Sequence, residues 1–95
     1  MLSAWFTTTD FASKNATTIA KVSEALTASG QWAMANPGPA AAIFEKYTKV
    51  HLAHFGETFA KSLDPALLQP IFDSAARYKV ISGPLNAKDV IWAAR

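Results

Sequence analysis

The 95-residue sequence contains no cysteine. Disulfide bridges, thiol catalysis and thiolate metal sites are therefore excluded. Charge is scarce too. Charged residues make up 17% of the chain, against roughly 25% in ordinary soluble domains. No apolar run approaches the roughly 20 residues that a membrane-spanning helix needs, so no span is expected. The bases Lys14, Lys21, Lys46, Lys49, Lys61, Arg77, Lys79, Lys88 and Arg95 are scattered along the chain. Without a basic cluster, no nucleic-acid partner is expected. The opening residues, "MLSAWFTTTD", lack the basic start and apolar core of a secretory signal. As written, the chain is expected to stay in the cytoplasm. Internal repeats and low-complexity segments are absent from the sequence as well.

What the sequence does have is apolar material. Hydrophobic residues reach 51% and aromatics 12%, with a net charge of +2. A chain of this size folds as one domain, here residues 1–95, and buries roughly 60–65% of its unfolded surface. With so little charge to cover the outside, some apolar area is expected to serve a partner.

Helical spacing dominates the chain. "MLSAWFTTT" is rich in aromatic and β-branched residues and reads as a short N-terminal strand or an extended arm. A threonine or Asp10 is expected to cap a turn at "DFASKN", and Asn15 to cap the next helix. Ile19, Val22, Leu26, Ser29 and Trp32 then recur at spacings of three and four, predicting an amphipathic helix over 16–35 with Trp32 in the core. Gly30 weakens that helix by up to ~1 kcal/mol without ending it. In "NPGP", Asn36 reads as an N-cap, with Pro37 at the first helical position, where its missing N–H is harmless. Ala40, Ile43, Phe44 and Tyr47 should face inward from the helix that follows, which ends near Thr48 and Lys49. A further helix is expected over 50–63, with Leu52, Phe55, Phe59 and Leu63 on one face. Asp64 and Pro65 start another, whose apolar face is Leu68, Ile71, Phe72, Ala75 and Tyr78, and in which Pro70 removes a hydrogen bond. "AKDVIWAAR" reads as a last short helix. Glu45–Lys49, Glu57–Lys61 and Asp73–Arg77 have the acid-first, four-residue spacing of helix ion pairs. No strand–helix alternation occurs, so the fold class is mainly α: short helices in a compact or oligomeric bundle.

Chemistry has few footholds. His51, His54 and Glu57 lie three apart, but that spacing matches no metal motif and lacks a fourth ligand, so no metal site is expected. There is no G-x-S-x-G, no phosphate-binding loop and no G-x-G-x-x-G. Asp64 is accounted for as a cap and Asp73 as half of an ion pair. No catalytic residue and no cofactor are expected, and the chain does not read as an enzyme. Of the three tryptophans, Trp5 is the one outside the helical pattern.

The order "FASKN", a helix, "W" and "NP", then an alanine-rich helix ending in "KYT", resembles the C-terminal part of ABC-importer substrate-binding proteins. The nitrate, sulfonate and taurine type is the nearest, related to the thiamine-precursor-binding family. "LDPALLQPIFDSAARYKVISGPLNAKDVI" is similar to that family's closing helices. The resemblance covers nearly the whole chain and about the last third of such a protein. Ala16 stands where the family often has proline, and "TKV" lacks the glycine that often follows the helix.

The resemblance implies the helical segment of a type 2 periplasmic-binding-protein lobe, in a periplasmic family. Trp5 would then lie near a ligand cleft, as the one ligand-binding position. A small anionic solute would bind only in a full-length relative, because the other cleft residues lie outside this sequence. On this reading the chain is a truncated C-terminal piece, unable to bind solute alone, and a homo-oligomer through exposed apolar helix faces. The alternative is a stand-alone helical protein-interaction or oligomerisation module.

The cap assignment has a direct consequence. Replacing Asn36 by alanine is expected to cost about 0.5–2 kcal/mol of stability. A denaturant titration that shows no loss would remove Asn36 from the joint.

Overall fold

A computed structural model describes residues 3–92. It is mainly α, with five helices and no strand among the described residues: α1 (Thr9–Lys14), α2 (Ala16–Ala35), α3 (Pro37–Thr48), α4 (Pro65–Arg77) and α5 (Ala87–Val90). Residues 3–8 carry no regular structure, so this part of "MLSAWFTTT" is an arm and not a strand; Thr9 already belongs to α1, and Met1 and Leu2 lie outside the described residues. The C-terminal end of "AKDVIWAAR" lies outside the described residues. The chain divides into two compact units. One takes the N-terminal segment up to Ile19 and the chain from Ser62 onwards; the other is Ala20–Lys61.

Local chemistry explains the helix starts. Thr8 caps α1, its hydroxyl accepting from the Phe11 N–H at 3.2 Å. Asp64 caps α4 by accepting from the Ala66 N–H at 2.9 Å, with Pro65 at the first position as expected. Asn86 caps α5, accepting from the Lys88 N–H at 3.0 Å.

The two asparagine joints work differently from the sequence expectation. Neither side chain caps the helix that follows. The Asn15 backbone N–H and side-chain amide both donate to the Phe11 carbonyl, at 2.9 and 3.0 Å, closing α1. Its own carbonyl accepts from the Ile19 N–H at 3.0 Å and so opens α2. Asn36 repeats the pattern. Its backbone N–H and side-chain amide both donate to the Trp32 carbonyl at 2.9 Å, and its carbonyl accepts from the Ala40 N–H at 2.9 Å. Each asparagine thus ends one helix and starts the next within a single residue. The Asn36 side chain makes no bond to α3, and the Trp32 carbonyl keeps the backbone donor when that side chain is lost. The stability loss on Asn36→Ala therefore belongs at the low end, about 0.5 kcal/mol.

In Ala20–Lys61, burial follows small residues. Gly30, Ala40 and Ala41 are buried. On α2 the covered positions include Leu26, Gly30, Ala33 and Met34; of the expected stripe Ile19 and Leu26 are half-buried, while Val22, Ser29 and Trp32 are exposed. Trp32 is 46% exposed and is not a core residue. Ile43 and Tyr47 of α3 are likewise exposed, while Phe44 is half-buried. The reason is access: a glycine or alanine lets a neighbouring backbone come close, and a large side chain holds it off.

The expected helix over 50–63 does not form. Lys49 takes a left-handed conformation (φ 62°) and ends α3, its N–H donating to the Glu45 carbonyl at 2.8 Å. Two histidines, Gly56 and β-branched Val50 then give the segment little helix propensity. The segment is instead an irregular strap carrying Phe55 and Phe59. None of the three expected ion pairs forms among the described residues. Glu45 meets His51, with Nδ1 and Oε2 3.0 Å apart. Asp73 accepts from Gln69, and the Arg77 guanidinium lies 5.7 Å from the centre of the Tyr78 ring. The ion pair at four-residue spacing is Asp10–Lys14 in α1, at 2.9 Å.

In the other unit, Ala12, Leu68 and Ala87 are buried. Gln69 ties α4 to the chain around α5. Its amide nitrogen donates to the Leu85 carbonyl at 2.9 Å and to Asp73 Oδ1 at 2.8 Å. Its amide oxygen accepts from the Ala87 N–H at 2.8 Å. α4 closes on Lys79 in the left-handed conformation (φ 58°): the Lys79 N–H donates to the Ala76 carbonyl and the Val80 N–H to that of Ala75. This is the Schellman pattern with lysine where glycine is usual.

Gln69→Glu keeps the size of the side chain but removes both donations and places two carboxylates together. It is expected to cost about 1–3 kcal/mol. Urea titration gives the answer, and a variant as stable as the parent would show that Gln69 ties nothing down.

Candidate functional site

Catalysis requires reactive groups brought together with a base, an acid or an ion. No group of three metal-ligating side chains occurs among the described residues. His51 is spent on Glu45 at the end of α3, and the Gly56 backbone lies beside the His54 ring. Glu57 sits on the irregular strap, not on a helix face shared with the histidines. Trp5 is 81% exposed on the N-terminal arm beside Phe6, at 96%.

Two arrangements remain, one in each unit. The first is a seat for Phe59 on α2. Gly30 faces it with no side chain, and a Cβ built there would lie 2.8 Å from Phe59 Cβ and 2.9 Å from its Cγ. The Phe59 N–H points at Met34 Sδ, 3.3 Å away, and the Gln31 side-chain amide donates to the Phe59 carbonyl at 3.4 Å. Phe55 stacks on Phe59 with the ring centres 5.9 Å apart and the planes within 6°. Phe44 meets Phe55 at the same separation, tilted by 55°. The Phe55 N–H donates to the Pro37 carbonyl at 3.2 Å. The strap is thus held by its backbone at two points and by a row of three rings.

The second is the outer side of α4. Leu67, Ile71, Ser74 and Tyr78 recur at four, three and four residues and share one narrow stripe of the helix. Leu67 is 74% exposed and Tyr78 73%, with Ile71 also exposed. Leu68 is buried on a different side, with Phe72 and Ala75 half-buried beside it. The sequence reading placed Ile71 and Tyr78 on the buried face. α4 is in fact apolar on two sides, and the unit covers one of them. Val80, beyond the helix, is 78% exposed.

No family model, no curated protein and no solved structure matches this chain.

The Phe59 seat predicts an unusual sign for a glycine-to-alanine change within a helix. Gly30→Ala raises helix propensity by up to ~1 kcal/mol. The added methyl nevertheless meets the Phe59 Cβ, which no rotamer change can move away. A net loss of about 1–3 kcal/mol is expected from the overpacking. Chemical denaturation decides it: a stabilised variant would mean that the strap does not rest on Gly30.

Proposed function

We propose that this chain works through contact with other protein surfaces, by homo-association of apolar helix faces, and that it catalyses no reaction. The observation that carries the reading is the outer stripe of α4. Leu67, Ile71 and Tyr78 stand in solvent at helical spacing, in a chain with few charges to offset them. Side chains of this kind gain free energy on burial, about 25 cal/mol for each Å² of apolar surface removed from water. No helix of the described residues is long and apolar enough to cross a membrane, so a bilayer-spanning helix does not account for the exposed side chains.

A second reading rests on the resemblance of "FASKN", "NP" and the α4 sequence to the importer binding proteins. In that reading the outer stripe of α4 is a face that covers a sheet in the full-length relative, and Trp5 lies beside a solute cleft. The exposed apolar stripe supports this reading as well. The two differ in what satisfies the stripe, and in whether a small anion matters to the chain at all.

Sedimentation equilibrium tests the first reading. The parent chain is expected to associate with rising concentration. Leu67→Glu combined with Tyr78→Glu is expected to remain monomeric with unchanged circular dichroism. A parent that stays monomeric at high concentration sinks homo-association. Calorimetric titration with nitrate, sulfate and taurine is expected to show no heat of binding; saturable heat would turn the assignment to the second reading.

A further inference from the structure

The Phe59 seat contains a chemically convertible atom. Met34 and Met1 are the methionines of the chain, and Met34 is half-buried on α2 with its sulfur 3.3 Å from the Phe59 backbone nitrogen. A thioether is a weak acceptor, yet here it receives a main-chain N–H of the strap. It also lies one helical turn from the glycine against which Phe59 packs. The seat therefore depends on a sulfur that is compact, uncharged and weakly polar.

We propose that Met34 is an oxidation site that controls whether residues 55–59 stay seated on α2, with a peroxide as the oxidant. A sulfur lone pair attacks one oxygen of hydrogen peroxide. The S–O bond forms as the O–O bond breaks, and the departing oxygen leaves as water after proton transfer. The sulfur is oxidised by two electrons and the peroxide is reduced by two. The product is a sulfoxide: larger, strongly polar and pyramidal at sulfur. An oxygen on the strap side of the sulfur stands between it and the Phe59 N–H, now 3.3 Å away, and pushes that backbone off α2. One turn earlier on the same helix, a methyl group on Gly30 has no room beside Phe59.

Displacement of Phe59 also removes the ring on which Phe55 stacks and the contact between Gln31 and the Phe59 carbonyl. What leaves α2 is thus a short aromatic segment, and what it uncovers is a notch at Gly30. Both are new apolar surface, and both revert when a methionine sulfoxide reductase restores the thioether.

The experiment treats the whole chain with hydrogen peroxide, locates the sulfoxide by mass spectrometry, and follows two local readouts. These are hydrogen exchange at the Phe59 amide and chymotryptic cleavage after Phe59. Both are expected to speed up roughly 5- to 30-fold on oxidation and to return on treatment with the reductase. Met34→Leu keeps Met1 and all three tryptophans and is expected to be indifferent to peroxide. The reductase arm asks the same question of the parent chain without any substitution. Unchanged exchange in a chain whose Met34 is fully oxidised overturns the proposal. So does an equal response in Met34→Leu, or a Met34 that peroxide fails to oxidise in the folded chain.

Discussion

Close approach at small residues is the constraint on which the packing rests. Ala12, Gly30, Ala40, Ala41 and Ala87 are buried, and Leu68 is the large side chain among the buried hydrophobics. A core of this kind gains less from removing hydrocarbon from water than one built of leucine and phenylalanine. Its advantage is geometric, because backbones and aromatic rings meet where there is no side chain to separate them. The seat of Phe59 on Gly30 shows the principle at one position, and the covering of Ala87 beside Gln69 shows it at another. The counterpart is that large apolar side chains are left outside, on α4, on α3 and on the N-terminal arm.

Much of the helical framework was legible from local chemistry. Pro37 and Pro65 mark helix starts, Asp64 caps as expected, and α2 runs through Gly30 over the expected 16–35. These features depend on one or two neighbouring residues, so a sequence displays them. What escaped depends on partners distant in the chain. Leu52, Phe55, Phe59 and Leu63 have helical spacing but belong to a strap, because Phe59 fits a glycine on another element. The face of α2 was assigned correctly at Ile19 and Leu26 and missed at Gly30: hydrophobic periodicity weighs side chains that are present, and here the contact forms where one is missing. The asparagine joints were found at the right positions with the wrong direction of action. An asparagine amide both accepts and donates, and the sequence does not say which end is used.

The candidate sites show the same division. The weakness of the metal reading at His51, His54 and Glu57 was already visible in their spacing, and the strap leaves no shared helix face for them. The outer face of α4 was not readable, because apolar residues fill more than one side of the helix and the spacing alone does not say which side the unit covers.

Two helices stop on a lysine with positive φ, Lys49 after α3 and Lys79 after α4. Glycine reaches that conformation without the steric penalty of a Cβ. A lysine there brings a compensating cation to the negative end of the helix dipole, and the Lys49 ammonium lies 3.2 Å from the Lys46 carbonyl. An attraction of that kind is screened by dissolved ions, whereas the steric penalty is not. The end of α3 is therefore coupled to ionic strength in a way that its beginning at Pro37, which has no charged cap, is not. In concentrated salt α3 should fray from the lysine end first, and amide exchange at residues 46–50 against salt concentration reads that asymmetry directly.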